Sequence, residues 1–250
     1  MTNLVMGWCN YTWDKSRIFV KSLRDTGYKG DIVFIEGTSD ELTLSKYKEY
    51  GVTIIPCKND LNFIFGECFH FLIYNESNYD HVFLSDVRDV VFQFNPFDCQ
   101  SMKNSYLHLT SEDLKIKEQA LNSLWIKNIY GSDILEKIGN ETIICGGVLY
   151  GGIASIINWV EKIFVNSEKV EQAVLNYLFR TGKLDAIAEP NDGSSVVWTI
   201  GTKIDTEHDD FYKIEGHTIT TLDGVTPPVI HQYDRHLRMK EMLEKYYANA

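Results

Sequence analysis

Short apolar runs alternate with amphipathic stretches along the first third of the chain, and this alternation restricts the fold more than any other feature. LVMGWC (4–9), GDIVFIEG (30–37) and VTIIPC (52–57) read as strands. Between them, DKSRIFVKSLRDTG (14–27) places Ile18, Phe19 and Leu23 on one helical face and ends at Gly27. SDELTLSKYKEYG (39–51) is a second helix, capped by Ser39 or Asp40 and closed by Gly51. Strand–helix units of this length imply a parallel sheet with right-handed crossovers. NFIFGECFHFLIYNESNY (62–79) adds an apolar helix, and HVFL (81–84) a central, buried strand.

Beyond this point the pattern loosens. Residues 111–139 read as helical, with Trp125 and Tyr130 as packing residues. TIICGGVLYGG (142–152) returns to the sheet, and a helix follows over 153–165. In KVEQAVLNYLFRTGK (169–183), Val170, Val174, Leu175 and Leu178 share a helical face that Gly182 ends. Shorter strands and loops lead to PPVIHQYDRH (227–236), and RHLRMKEMLEKYY (235–247) reads as a solvated terminal helix. No internal repeat, low-complexity tract or Pro/Ser-rich linker interrupts the chain, so a single domain is expected over its 250 residues.

Composition removes several classes. A hydrophobic fraction of 44% with 24% charged residues is that of a folded globular protein. The formal net charge is −11 and no long Lys/Arg run occurs, whereas a nucleic-acid binder needs a basic face to displace counterions. Five cysteines are scattered without a C-x-x-C pair, against a disulfide framework or a zinc knuckle and in favour of small buried hydrophobes in a reducing compartment. MTNLVMGWCN lacks the basic start and long apolar core of a signal peptide. IICGGVLYGGIASIINWV (143–160) is uncharged and contains a G-x-x-x-G pattern, the dress of a membrane helix. Two Gly-Gly pairs would weaken such a helix and Glu141 and Glu161 give it no basic anchor, so a strand, a turn and the start of a helix fit better. Weak membrane-surface contact by the tail is a minor alternative.

The chemistry concentrates in HVFLSDVRDVVFQFNPF (81–97). Asp86 and Asp89 stand at the carboxyl end of a buried strand, where open α/β sheets bind ligands. Buried charge must be paired or must bind something. Two readings of the spacing are equally open: a divalent cation that also binds phosphate oxygens, or a knot in which Arg88 pairs with both aspartates. A phosphatase signature is set aside, because Arg88 occupies its third position and the strand is not the first.

Taken in order, several segments resemble those of the GT-A glycosyltransferases, nearest to glycogenin-like and related bacterial transferases. LVMGWCNYTW resembles their first, nucleotide-contacting strand and loop, and FLSDVRDVVFQFNPF sits where they carry an Asp-x-Asp metal motif. IICGGVLYGG resembles their N-A-G-V strand, EQAVLNYLF their D-Q-x-x-L-N helix, and VIHQYDRH lies where they place a late metal-binding histidine. There are departures. D-V-R-D is one residue longer than Asp-x-Asp; counting back from Asn95-Pro96 matches Asp89 to the second family aspartate and Asp86 to the first. Glu171 replaces an aspartate, and the late histidine lacks the Gly and Lys-Pro that follow it in glycogenin-like enzymes, so their retaining stereochemistry does not carry across.

What the resemblance implies is a single Rossmann-like GT-A domain with a mostly parallel central sheet flanked by helices. A nucleotide-binding half would cover about 1–95, a sugar and acceptor half about 96–236, and a terminal helix 237–250. Asp86, Asp89 and His231 would hold Mn²⁺, or Mg²⁺, against the diphosphate of a nucleotide sugar. Gly7, Trp8, Asn10, Tyr11 and Asp60 would border the nucleotide. Arg88, Arg235 and His236 would reach the diphosphate; Arg88 could instead lock its loop, and Arg235 could pair with Asp234. Gly146 and Gly147 would let backbone approach the sugar. Glu171, Gln172 and Asp192 are the candidates for catalytic contacts, with retaining and inverting courses both open. The expected reaction moves a sugar to a hydroxyl of a glycan, lipid-linked or protein acceptor, in the cytoplasm or at the inner membrane face. A non-catalytic carbohydrate or nucleotide binder and a sugar-1-phosphate nucleotidyltransferase are the alternatives.

Overall fold

The computed structural model describes residues 2–36, 40–58, 60–166, 168–203 and 211–248. The first half follows the strand–helix alternation closely: β1 (Asn3–Cys9), α1 (Trp13–Asp25), β2 (Asp31–Glu36), α2 (Glu41–Glu49), β3 (Val52–Pro56), α3 (Leu61–Tyr74), β4 (His81–Ser85) and β5 (Val90–Phe92). Then come β6 (Leu107–Lys115), α4 (Ala120–Tyr130), α5 (Ser132–Ile138), β7 (Thr142–Gly152), α6 (Ile153–Phe164) and α7 (Glu171–Arg180). The chain ends in β8 (Ile187–Glu189), β9 (Val197–Thr199), β10 (Tyr212–Glu215), β11 (Thr218–Thr221), β12 (Val229–His231) and α8 (Leu237–Ala248).

Local chemistry accounts for the boundaries. The Asp40 carboxylate caps α2 by accepting from the Thr43 N–H at 2.8 Å; Ser39, the other candidate cap, lies outside the described residues. Gly27 and Gly51 follow their helices with φ of +84° and +65°, a backbone that glycine adopts without a Cβ penalty. Residues 111–115, expected as helix, are instead the second half of β6. LHLT alternates its apolar and polar side chains, and over SEDLK pairing along β7 outweighs helix propensity.

Seven strands form one sheet in the order β3-β2-β1-β4-β7-β6-β8. It is mixed, not mostly parallel. β3, β2, β1 and β4 run parallel, but β7 is antiparallel to both β4 and β6, and β8 is parallel to β6. Apolar content marks a buried strand without marking its direction, which follows from the path of the connection. Side chains alternate to the two faces. Leu4 and Met6 join Leu84, Leu149 and Trp159 on the side of α3 and α6, while Val5 joins Phe19, Phe34, Phe83 and Val148 on the other. The uncharged segment 143–160 is β7 running into α6, and no helix among the described residues is long and apolar enough to cross a membrane.

A second, three-stranded sheet has the order β5-β12-β9, with β12 antiparallel to β5 and parallel to β9. It buries Val91, Trp198 and Ile230 against Met239 and Leu243 of α8. The chain therefore leaves the large sheet at Ser85 and enters the small one at Val90. Residues 86–89 form the crossing, and Gly7 sets how close β1 comes to it. A Cβ at Gly7 would lie 2.6 Å from the Ser85 carbonyl oxygen and 2.7 Å from Val87 Cγ2. We predict that Gly7→Ala destabilises the fold by about 1–3 kcal/mol. Urea unfolding measures this as a lowered midpoint.

Candidate metal centre

Three potential ligands meet at the crossing between the sheets. Asp86 follows β4 directly, and its N–H donates to the Gly147 carbonyl of β7 at 2.7 Å. Asp89 precedes β5, and its carbonyl accepts from the Gln232 N–H at 2.7 Å. His231 ends β12, where the ladder sets it opposite Val90. Far apart in sequence, the late histidine and the two aspartates become neighbours through the β5–β12 pairing. One ligand atom from each of Asp86, Asp89 and His231 lies within 4.8 Å of the others. His231 Nε2 is 3.6 Å from Asp86 Oδ2 and 3.8 Å from Asp89 Oδ1.

Two observations fit these residues to a cation. His231 is fully buried, yet Nε2 has no hydrogen-bond partner, an expensive arrangement unless something else binds that nitrogen. Gly147 forms the wall beside it. A Cβ there would stand 2.5 Å from Asp86 Oδ2 and 2.7 Å from His231 Nε2, so glycine keeps the space between the ligands open. Two carboxylates and an imidazole form a hard donor set suited to Mn²⁺ or Mg²⁺; zinc favours more nitrogen or sulfur. On its other edge, His231 Nδ1 faces Thr199 Oγ1 at 3.5 Å and Cys145 Sγ at 3.6 Å. Gln232 then turns the chain with φ +67°, the one non-glycine residue with positive φ among those described.

Burial is the dominant electrostatic influence. It pushes the Asp89 carboxyl above the usual carboxylate range, with His231 opposing. Burial also works against a charged His231, but the Cys145 sulfur, Asp86 and Asp89 outweigh it and the imidazole titrates well above its ordinary value. Glu171, at the start of α7, is pushed well above the usual range by burial and then by the Asp86 charge. The residue as a whole is only half-buried, but its Oε1 is shut from water and lacks a partner.

The remaining predicted residues divide. Trp8, Asn10, Tyr11, Arg88 and the two aspartates line one cleft of about 230 Å³ beside the cluster. Trp8 also packs edge-on against Phe65, with centroids 5.5 Å apart, so it serves the core as well. Asp60 sits just before α3, its carbonyl accepting from the N–H of Ile64, another wall of the cleft. Arg88 is half-exposed and bonds outward, Nε to Asp234 Oδ2 at 3.3 Å and Nη2 to Asp89 Oδ2 at 3.7 Å, an arrangement that locks the loop. Asp234 Oδ2 is engaged by Arg88, while Arg235 donates to the Gly201 carbonyl at 3.4 Å.

Three candidates have side chains engaged by the protein's own groups. His236 is buried, its Nε2 donating to the Ile200 carbonyl at 2.9 Å and its ring packed edge-on against Phe211. Asp192 is exposed and caps its own turn, accepting from Ser194 N and Oγ at 2.9 and 2.6 Å; those bonds hold its pKa below the usual range. Gln172 reaches Gly146 but braces it, accepting from the Gly146 N–H at 3.1 Å while donating to Asn122 Oδ1 at 3.1 Å and Glu112 Oε1 at 3.3 Å.

Glu112 itself was not anticipated. It is a buried acid on β6, raised by burial and held down by the charges of His231 and Arg235. Its segment reads as a mixed helix in sequence, and only the strand conformation turns it inward.

Two tests follow. Gly147→Ala should abolish Mn²⁺ binding, measured by calorimetry, while leaving the circular dichroism spectrum unchanged. The second concerns pH. The raised values of His231 and Asp89 mean that the folded protein holds protons there that the unfolded chain releases, so this stabilising protonation is lost as pH rises through the folded values. A cation must displace the same protons, so Mn²⁺ should bind more tightly at pH 8 than at pH 6, with proton release detectable in buffers of different ionisation enthalpy.

Compared with known protein families, the chain matches no family model, and no curated protein matches it.

Proposed function

We propose that this chain is a metal-dependent glycosyltransferase of the GT-A kind, moving a sugar from a nucleoside diphosphate to a hydroxyl acceptor. The observation that carries the reading is the convergence of Asp86, Asp89 and the unpartnered His231 Nε2 beside a cleft walled by Trp8, Asn10 and Tyr11. It is supported by the position of that cleft, past the carboxyl ends of β1 and β4, and by the ordered motifs of the sequence.

Breaking the anomeric bond builds negative charge on the diphosphate. A divalent cation held by Asp86, Asp89 and His231 would supply the opposing charge there. The protein's own groups divide the remaining work. Tyr11, Trp8 and Asn10 border the base and ribose. Arg88, tied to Asp234 and Asp89, keeps the ligand loop in place for the leaving group. Gly146 and Gly147 leave room for the sugar ring, and the Gln172 brace fixes that backbone. Glu171, whose carboxyl is pushed well above the usual range by burial and then by the Asp86 charge, is better suited to donating a hydrogen bond than to taking a proton. Asp192, with its lowered pKa, is a weak base. A glycan, lipid-linked or protein hydroxyl is the acceptor, at a cytoplasmic site or the inner membrane face.

Incubation with a panel of nucleotide sugars, with Mn²⁺ or with chelator, tests this through release of nucleoside diphosphate. Asp89→Asn and His231→Ala should each lower turnover by about two to three powers of ten. Equal turnover in chelator, or in both variants, would defeat the assignment.

A further inference from the structure

A second cavity lies at the other end of α1 from the metal cluster. It encloses about 510 Å³ between the last turn of α1, the end of β5, the β10–β11 hairpin and α8. α1 begins two residues after Tyr11 and is 13 residues long, which separates its ends by roughly 20 Å at helical rise. This cavity and the cleft at Tyr11 share no lining residue.

Its polar lining falls into two groups. Ser22, Thr26 and Gln93 are engaged within the protein. Ser22 Oγ donates to the Phe19 carbonyl and accepts from the Phe92 N–H, and Thr26 Oγ1 donates to the Leu23 carbonyl. The Gln93 amide staples β5 to Ile219 and Pro227. That leaves Asp25, Thr218 and Thr226, with the hydroxyls of Tyr246 and Tyr247, as the side-chain oxygens on the lining. The apolar surface is aromatic. Tyr246 is stacked against His217, with centroids 4.2 Å apart, whereas Phe94 stands 53% exposed and offers an open ring face. Among the described residues, no lysine or arginine lines the cavity, and the chain carries a net charge of −11.

This lining discriminates between ligand classes. A phosphorylated or carboxylated guest would meet the Asp25 charge, and the neighbouring Lys21 is buried and already donates to the Tyr247 carbonyl. A purely apolar guest would leave the hydroxyls of Thr218 and Thr226 unanswered where it covered them. A neutral saccharide matches both halves, because its ring has an apolar C–H face and a rim of hydroxyls that both donate and accept. We propose that the cavity binds a neutral saccharide, its C–H face laid on Phe94, its hydroxyls donating to Asp25 and sharing hydrogen bonds with Thr218 and Thr226. The site stands whether or not the metal centre turns over.

Calorimetry and saturation-transfer NMR on the whole chain, in chelator, test it with neutral di- and tetrasaccharides of glucose, galactose, mannose and N-acetylhexosamines. At least one should bind saturably, and Phe94→Ala and Asp25→Asn should each weaken it about tenfold or more, while Asp89→Asn leaves it unchanged. If Phe94→Ala lowers the unfolding midpoint, Phe94→Leu, which keeps the bulk but removes the ring, replaces it. Failure of every saccharide to bind, indifference to both cavity variants, loss in Asp89→Asn, or preference for nucleosides or sugar phosphates would each overturn the proposal.

Discussion

The pairing of β12 with β5 is the contact on which the functional part of this molecule depends. Three residues on each side are enough to set His231 opposite Val90 and to bring the Gln232 N–H onto the Asp89 carbonyl. Without it the late histidine has no reason to approach the aspartates, and the crossing between the sheets would be an ordinary loop. The pairing is protected by what surrounds it: Val229 and Ile230 are fully buried, and Trp198 and α8 close the outer side.

The centre holds its charges in an environment that resists charge. Asp89 and His231 are almost completely buried, and Glu112 and Glu171 Oε1 are close behind them. Each group is compensated differently. Asp89 has a distant contact with Arg88, Glu112 has Gln172, and His231 Nδ1 has Thr199 and Cys145. His231 Nε2, 3.6 Å from Asp86 Oδ2, and Glu171 Oε1 are left without hydrogen-bond partners. A cluster of this kind is costly for folding alone, and a ligand that satisfied it would offset that cost.

Much of the molecule was legible from residue patterns. The first four strands and three helices were located because apolar periodicity and turn residues agree with the tertiary contacts there. Asp86 and Asp89 stood out because carboxylates at the end of an apolar strand demand compensation. Other positions were not legible from residue patterns, and His231 was singled out only through the family resemblance. His231 and His236 occur in one short segment with similar surroundings in sequence. Strand pairing sends the first to the carboxylates, and burial against Phe211 takes the second into the core. Glu112 lay in a stretch whose composition suits helix, and the neighbouring strand β7 decided otherwise.

The sequence by itself determined where the strands and helices of the first third form, which faces are apolar, and which side chains could bind a metal, because these follow from short-range periodicity and residue type. Tertiary structure alone decided that β7 runs antiparallel, that the chain changes sheets across residues 86–89, and that Gly147 leaves a space between the Asp86 carboxylate and the His231 imidazole. Those outcomes depend on long-range pairing and close packing, and no local pattern encodes which distant strand a strand will meet.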